Sequence, residues 1–150
     1  TLDLMKDPTS GPIAITVVIL LLLLKLCALE LLIRNEAYSL IIWPLVFARM
    51  SSGLLFLSTP YARESGLGSA IARYKQKIHI LGIAALLCLI AGYFLGWSVI
   101  PLIIALTLCF YYLRHKMIAR IDGCTGDTAG ALIEISECLA LLVLAALVVQ

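Results

Sequence analysis

Charged residues are scarce in this sequence. Only 13% of its 150 residues are Asp, Glu, Lys or Arg, whereas 63% are hydrophobic. This composition excludes a soluble globular domain, because a water-facing surface requires many more polar side chains. The net charge of +2 is too small to indicate nucleic-acid binding, and no basic segment is interleaved with aromatic residues.

Paired cysteine motifs are also missing. The sequence has five cysteines but no Cys-x-x-Cys pair, and their spacing to the two histidines matches no metal site. Cys27, Cys88 and Cys109 lie inside apolar runs, where cysteine behaves as a small hydrophobic residue. We therefore expect no disulfide framework.

Long apolar runs dominate what is present. Their lengths are near that of a bilayer span, so we predict an all-α, polytopic transmembrane helix bundle with about five spans. Residues 1–150 would form a single integral membrane domain. The predicted spans are 13–33, 39–58, 78–97, a fourth that follows the turn at 96–101 and ends near 113, and a fifth from about 127 to the end.

Basic residues concentrate in three segments. Of eleven Lys and Arg residues, one lies in residues 1–12, four lie in 59–77 and three lie in 114–128. Five spans of alternating direction place these segments on one face of the membrane. The positive-inside rule predicts that this face is cytoplasmic.

The charged residues inside the predicted spans include Lys25, Glu30, Arg49, Glu134 and Glu137. A charge at the bilayer centre costs about 2.5–3.5 kcal/mol, so each needs a cavity, a metal ion or an oppositely charged partner. Lys25 is five residues from Glu30 and points about 140° away from it, so Lys25 must reach a neighbouring helix or water. For Lys25 the alternative is snorkelling to the interface, which its mid-span position makes awkward. For Arg49 an internal salt bridge and contact with an anionic substrate both remain open.

The stretch from 122 to 137 concentrates polar side chains where a glycine-containing loop enters the last apolar run. Asp127, Gly130, Glu134 and Glu137 are spaced i, i+3, i+7 and i+10, and fall within about 80° on a helix. Three carboxylates on one stripe predict a polar catalytic or ion-binding site. The alternative is a stripe that forms buried ion pairs with cations of neighbouring helices.

A second polar loop spans residues 59–68. Its Gly-x-Gly and single arginine are a weak phosphate-binding signal, because an ordinary membrane-surface loop has a similar composition. The alternation of the spans brings Asp7, this loop and the 122–137 stretch to the same membrane surface. This convergence favours one composite site.

Three motifs resemble those of the cobalamin synthase family, the adenosylcobinamide-GDP ribazoletransferases. Thr125-Gly126-Asp127, Gly130-Ala131, Glu134 and Glu137 resemble the family signature Gly-x-Thr-Gly-Asp-x-x-Gly-Ala-x-x-Glu-x-x-Glu. Tyr61-Ala62-Arg63-Glu64 with Gly66-Leu67-Gly68 is similar to the family's Tyr-Ala-Arg-x-x-Gly-Leu-Gly loop. Met5-Lys6-Asp7, with Gly11, Lys25 and Arg49 at matching distances, fits the same pattern. The sequence departs from it at Thr9, where the family has arginine, and at Gly123, where it has a Gly-Gly pair.

The resemblance implies a Mg²⁺-dependent transferase. A hydroxyl of α-ribazole, or of its 5′-phosphate, would attack the phosphorus next to cobinamide in adenosylcobinamide-GDP and release GMP. This is the nucleotide-loop assembly step of cobalamin biosynthesis. We expect a multi-pass protein of a bacterial or archaeal cytoplasmic membrane, with its site facing the cytoplasm.

The resemblance also implies roles for individual residues. Asp127 and Glu134 are expected to bind the metal or act as the base, and Arg63 and Arg49 to act with them in catalysis. Glu137 is expected to pair with Arg49 or Lys25. The expected substrate and phosphate contacts are Asp7, Tyr61, Arg63, Gly66, Gly68, Gly123, Thr125, Gly126 and Lys25.

The family's acidic Asp-Gly-x-x-Asp-x-x-Asp-Gly motif, which is expected to bind magnesium, does not occur in this sequence. The sequence begins at Thr1, and no cleavable signal pattern precedes the first apolar run. We therefore expect the carboxy-terminal part of a longer family domain, completed by a further segment or within a homo-oligomer.

Two other functions remain open. One is a related membrane enzyme that transfers a phosphoalcohol between a nucleotide diphosphate and a lipid acceptor. The other is a non-catalytic transport or scaffold subunit whose intramembrane charges form a relay. A relay would distribute charges across the bilayer depth, whereas a transferase would gather them near one surface.

Overall fold

The computed structural model describes residues 11–62 and 77–149. In these residues the chain is almost entirely helical, which confirms the predicted all-α transmembrane class. Short 3₁₀ turns at Tyr38–Leu40 and Gly96–Ser98 precede the second and fourth helices. The helices are α1 (Pro12–Arg34), α2 (Ile42–Ser58), α3 (Lys77–Leu95), α4 (Val99–Ile121) and α5 (Gly126–Val148).

The expected number of five spans is off by one. Four helical stretches of the described residues are long and apolar enough to cross a membrane: Pro12–Arg34, Tyr38–Ser58, Ile78–Ile121 and Gly126–Val148. The third stretch runs through α3, the 3₁₀ turn and α4 without a gap, although Gly96 in the turn has a left-handed backbone with φ at 56°. It contains 44 residues, about twice the ~20 that one span requires.

α4 extends beyond the predicted fourth span. That span is expected to end near Leu113, and the helix continues to Ile121 with the basic residues from Arg114 onward. Arg and Lys are good helix formers, and cations are favoured near a helix C-terminus. The change in composition after Leu113 therefore does not end the helix.

The last helix, α5, lies at the centre of the bundle and contacts α2, α1 and α4, while α3 packs against α2 and α4. α1 buries only Lys25, Ala28 and Leu32, a stripe with i, i+3 and i+7 spacing. Most other large side chains of α1 are exposed and apolar, as expected for a helix that faces lipid.

Buried side chains form two clusters at different depths. The cluster farther from the loops contains residues of all five helices, namely Ala28, Leu32, Trp43, Phe47, Ala91, Leu95, Leu102, Leu106, Ala140, Leu141, Leu144 and Ala145. The second cluster lies where α2 and α4 end and α5 begins, and consists of Leu55, Met117, Cys124, Ala129 and Leu132. It forms an apolar support beneath the two loops at this end of the bundle.

The segment after α2 pairs with the segment before α5, and we call this pairing the loop junction (residues 58–62 with 122–125). Cys124 N–H donates to the carbonyl of Pro60 at 2.9 Å, and Ala62 N–H donates to the carbonyl of Cys124 at 2.8 Å. A Cβ atom at Gly123 would lie 2.4 Å from the Pro60 oxygen. Only glycine fits at this position without moving one of the two segments.

Replacing Gly123 with alanine should therefore open the loop junction. We expect Gly123→Ala to lower the free energy of unfolding by about 1–3 kcal/mol, the usual cost of forcing extra volume into a packed site. Denaturant unfolding in detergent micelles measures this loss. Gly92→Ala in α3 is the matched control, since no atom lies within 4 Å of the added Cβ. Equal stability of the two variants would contradict the close packing at Gly123.

Candidate functional site

The amino-terminal end of α5 carries the residues that the sequence singled out. Asp122 ends α4 in the left-handed conformation, with φ at 54°. Thr125 then caps α5: its hydroxyl oxygen accepts from Thr128 N–H at 3.3 Å, and the Thr128 hydroxyl oxygen accepts from Thr125 N–H at 2.8 Å. This reciprocal capping box fixes the direction in which α5 leaves the loop junction.

Asp127 lies in the first turn of α5, where the positive end of the helix dipole favours a carboxylate. Gly126, Asp127, Gly130 and Glu134 are all exposed, so the predicted stripe is an accessible face of this helix. Glu137 continues the stripe at greater depth and is half-buried. The periodicity of the sequence therefore located one accessible polar face on the central helix.

The deeper part of the stripe forms an ion cluster with Lys25 of α1. Lys25 Nζ lies 2.6 Å from Glu134 Oε2 and 3.0 Å from Glu137 Oε1. Lys25 is only 8% exposed, whereas the side chains of Glu134 and Glu137 are 55% and 16% exposed. Lys25 thus reaches a neighbouring helix, and Glu137 pairs with one of its two expected cations.

Glu30 does not take part in this cluster. It pairs instead with Arg34 one turn further along α1, at 2.6 Å, with both side chains largely exposed. This agrees with the expectation that Lys25 and Glu30 point in different directions.

Asp127 and Glu134 share a face of α5 but not a depth. Seven residues of α-helix separate them by about 10 Å along the axis. A Mg²⁺ ion binds oxygen at about 2.1 Å, so direct ligation of one ion by both carboxylates would require a large distortion. Among the described residues no group of three or more His, Cys, Asp and Glu is placed to hold a metal. Mg²⁺ commonly takes one or two carboxylates and completes its shell with phosphates and water, and Asp127 fits such a role.

Arg49 lies away from this cluster. Its side chain is exposed and lines an apolar groove between α2 and α3, beside Gly53, Ile80 and Ile83. No described carboxylate forms a salt bridge with it. The structure therefore brings Lys25, Glu134 and Glu137 together without Arg49.

Four expected site residues, Asp7, Arg63, Gly66 and Gly68, lie outside the described residues. Tyr61 lies in the loop junction, half-buried, with its ring centroid 6.2 Å from that of Phe56. Its backbone forms a parallel bridge with Cys124. The second polar loop thus begins directly beside the entry to α5, as the convergence of the two motifs predicted.

Cys124 lies at the centre of the loop junction. Burial raises the pKa of its thiol, so the side chain remains protonated near neutral pH. A thiolate is the nucleophilic form of cysteine, so Cys124 is not suited to covalent catalysis. Its contribution here is the pair of backbone hydrogen bonds described above.

Sequence reasoning missed two residues that order this end of the bundle. Thr128 completes the cap of α5, but the usual signature has Glu or Gln at that position. Arg114 was treated only as part of a basic segment, yet its Nε donates to Thr59 Oγ1 at 3.0 Å and its Nη2 donates to the carbonyl of Ser58. No local pattern indicates a contact between residues so far apart in the sequence.

The fold and this face together define a polytopic α-helical membrane protein whose central helix presents carboxylates beside the loop junction. Within that class, the chain belongs to the cobalamin-5-phosphate synthase family, whose family model matches residues 1–145. No solved structure matches the chain.

Relatives with assigned names support the same placement. The adenosylcobinamide-GDP ribazoletransferase of Pseudomonas savastanoi pv. phaseolicola is 41% identical over 150 residues, covering 98% of this chain and 60% of the relative. The enzyme of the same name from Pseudomonas aeruginosa is 46% identical over 149 residues, covering 97% of this chain and 59% of the relative. The chain thus spans about 60% of the length of these relatives.

Removing the cation of the ion cluster should destabilise the protein. Lys25→Met leaves two carboxylates close together without their shared cation, so we expect the free energy of unfolding to fall by about 3 kcal/mol. Unfolding by guanidinium in detergent micelles measures the change. Arg34→Met is the control, because its exposed pair with Glu30 is worth at most about 0.5 kcal/mol. The triple variant Lys25→Met, Glu134→Gln, Glu137→Gln should lose less free energy of unfolding than Lys25→Met alone. A larger loss in the triple variant would argue that the unpaired charges are not the cause.

Proposed function

We propose that this chain forms part of the active site of an adenosylcobinamide-GDP ribazoletransferase. The observation that carries the proposal is the family match over residues 1–145, together with relatives of that name at more than 40% identity over nearly the whole chain. In the proposed reaction, a hydroxyl of α-ribazole or of its 5′-phosphate bonds to the phosphorus next to cobinamide. The bond from that phosphorus to the oxygen of GMP breaks, and adenosylcobalamin or its phosphate forms.

Transfer at a diphosphate requires neutralisation of the charge that develops on the phosphate oxygens. We propose Mg²⁺ as the cofactor, which when bound would supply positive charge at the diphosphate. Asp127 is the residue of this chain that we assign to hold it. Its exposed position in the first turn of α5, beside the loop junction, supports this assignment.

We assign phosphate binding to the second polar loop. Ala62 is hydrogen-bonded to Cys124, and Arg63 follows Ala62 directly in the sequence. An arginine suits this task because its planar guanidinium donates two parallel hydrogen bonds to phosphate. Gly66 and Gly68 in the same loop, and Gly126 at the start of α5, would allow backbone N–H groups to approach phosphate oxygens.

Glu134 takes a separate role in this proposal. It shares the accessible face of α5 with Asp127 but lies about 10 Å deeper, so the two carboxylates suit different parts of a long substrate. Lys25 binds one oxygen of Glu134, while more than half of the Glu134 side chain stays exposed. We assign Glu134 to orient or deprotonate the attacking hydroxyl.

Replacing Asp127 with asparagine should abolish transfer and leave the fold intact. We expect kcat to fall at least ~100-fold, because the neutral amide is a far weaker ligand and base. The complete gene product in lipid nanodiscs is incubated with adenosylcobinamide-GDP and α-ribazole, and released GMP is measured by chromatography. Asp122→Asn is the matched control, since it removes the same charge at a left-handed position that asparagine tolerates.

Two results would count against these assignments. If the wild-type protein releases no GMP, the transferase function is wrong. If it releases GMP and Asp127→Asn does so at a similar rate, the function stands but the role of Asp127 does not.

We further propose that the protein lies in the cytoplasmic membrane of a bacterium or archaeon, with the site on the cytoplasmic side. The last turns of α4 carry three basic residues, Arg114, Lys116 and Arg120. They lie at the end of the bundle that carries the loop junction, which we call the site end, whereas Arg34 ends α1 at the opposite end of the bundle. This asymmetry follows the positive-inside rule.

Reporter fusions test this orientation. Fusions after Ala62 and after Asp122 should give fluorescence with green fluorescent protein and no activity with alkaline phosphatase, because both positions face the cytoplasm. A fusion after Asn35, between α1 and α2, should give the reverse pattern. Phosphatase activity at either of the first two positions would separate the loops from a common cytoplasmic site.

A further inference from the structure

Arg114 connects two helices at the site end of the bundle. It lies on α4, seven residues before the end of that helix, and is half-buried. Its guanidinium donates from Nε to Thr59 Oγ1 at 3.0 Å and from Nη2 to the carbonyl of Ser58. Thr59 is itself only 5% exposed, so Arg114 reaches from the half-exposed face of α4 to a buried residue.

The contact satisfies a need created by the end of α2. The last carbonyl groups of a helix have no partner within the helix and carry its partial negative charge. α2 ends at Ser58, and Arg114 supplies both a hydrogen-bond donor and a positive charge there. A lysine carries a compact ammonium group and lacks the planar fork whose separate nitrogen atoms reach Thr59 and Ser58.

The segment that Arg114 holds is the one that enters the loop junction. The residue after Thr59 is Pro60, whose carbonyl accepts from Cys124 N–H, and Ala62 N–H donates to the carbonyl of Cys124. Cys124 directly precedes Thr125, the cap of α5. Residues 58–62 are thus held on one side by a side chain of α4 and on the other by the backbone that leads into α5.

We propose that Arg114 is a positioning residue, which holds the Tyr61–Ala62 segment in register with the start of α5. This inference rests on the proposed function, in which Arg63 and Asp127 act on one diphosphate from these two segments. Arg114 contacts no substrate in this proposal. It acts through Ser58 and Thr59 on the distance between the two loops.

Kinetics of paired variants test the proposal. Thr59→Val keeps the shape of the side chain but removes the acceptor of Arg114 Nε, and Arg114→Lys keeps the charge but removes the fork. We expect each to lower kcat roughly 10- to 100-fold with little change in KM, because small misplacements of reacting groups cost this much. The double variant should be no worse than the more impaired single variant, since both changes break one contact.

Arg120→Ala is the matched control, because it removes an exposed cation from the same helix. It should retain wild-type kcat and KM. If Arg114→Lys and Thr59→Val lower only the melting temperature and leave kcat unchanged, the contact is structural and the proposal is wrong. If Arg114→Lys impairs transfer and Thr59→Val does not, the contact with Thr59 does not position the loop and the proposal is also wrong.

A second readout does not depend on activity. Hydrogen exchange of the Ala62 and Cys124 amides reports whether the loop junction is closed. Arg114→Ala and Thr59→Val should speed exchange at both amides, while Arg120→Ala should not. If Arg114→Ala does not fold, Thr59→Val decides the outcome. If the wild-type protein is inactive but the variants still speed exchange at these two amides, the proposed function is wrong and the positioning role stands. If Thr59→Val leaves exchange at both amides unchanged, the positioning role is wrong.

Discussion

A charge inside a bilayer needs a partner, and the ion cluster of Lys25, Glu134 and Glu137 meets that need between α1 and α5. Lys25 lies 109 and 112 residues before its two partners, so the cluster joins the first helix to the last. α1 otherwise contributes only Ala28 and Leu32 as fully buried apolar contacts. Because lipid is as apolar as these side chains, the hydrophobic effect alone would not hold α1 in one place. The ion pairs give it a defined position and rotation.

The same cluster divides the carboxylates of α5 into two kinds. Glu134 and Glu137 are tied to Lys25, and Asp127 lies about 10 Å nearer to the loops, at the positive end of the helix dipole. A charge relay would distribute its groups in sequence across the membrane. Here one carboxylate faces the site end and two are fixed to a single cation, which suits a substrate that enters from one side.

Interactions of another kind order the loop end of the bundle. The short segments there have no apolar core of their own. They are held by backbone hydrogen bonds between 60–62 and 124, by the close packing at Gly123, and by the capping box of α5. The apolar cluster beneath them, which includes Leu55, Met117 and Leu132, supports this junction from below. The described start of one family-like motif, Tyr61-Ala62, therefore lies against Cys124, directly before the other motif.

Sequence periodicity and hydropathy alone determined the membrane class, the limits of α1 to within one residue, and the start and polar face of α5. These features depend on neighbours within a few turns of helix, so local patterns report them. The predicted number of spans is slightly off, because α3, the 3₁₀ turn and α4 follow one another without a gap. α4 also extends beyond the predicted end of the fourth span, because a run of basic residues does not end a helix. Only the tertiary structure decided that Lys25 pairs with Glu134 and Glu137, that Arg49 lies in another groove, and that Arg114 holds Thr59. These contacts join residues 55 to 112 positions apart, and their geometry depends on how whole helices pack.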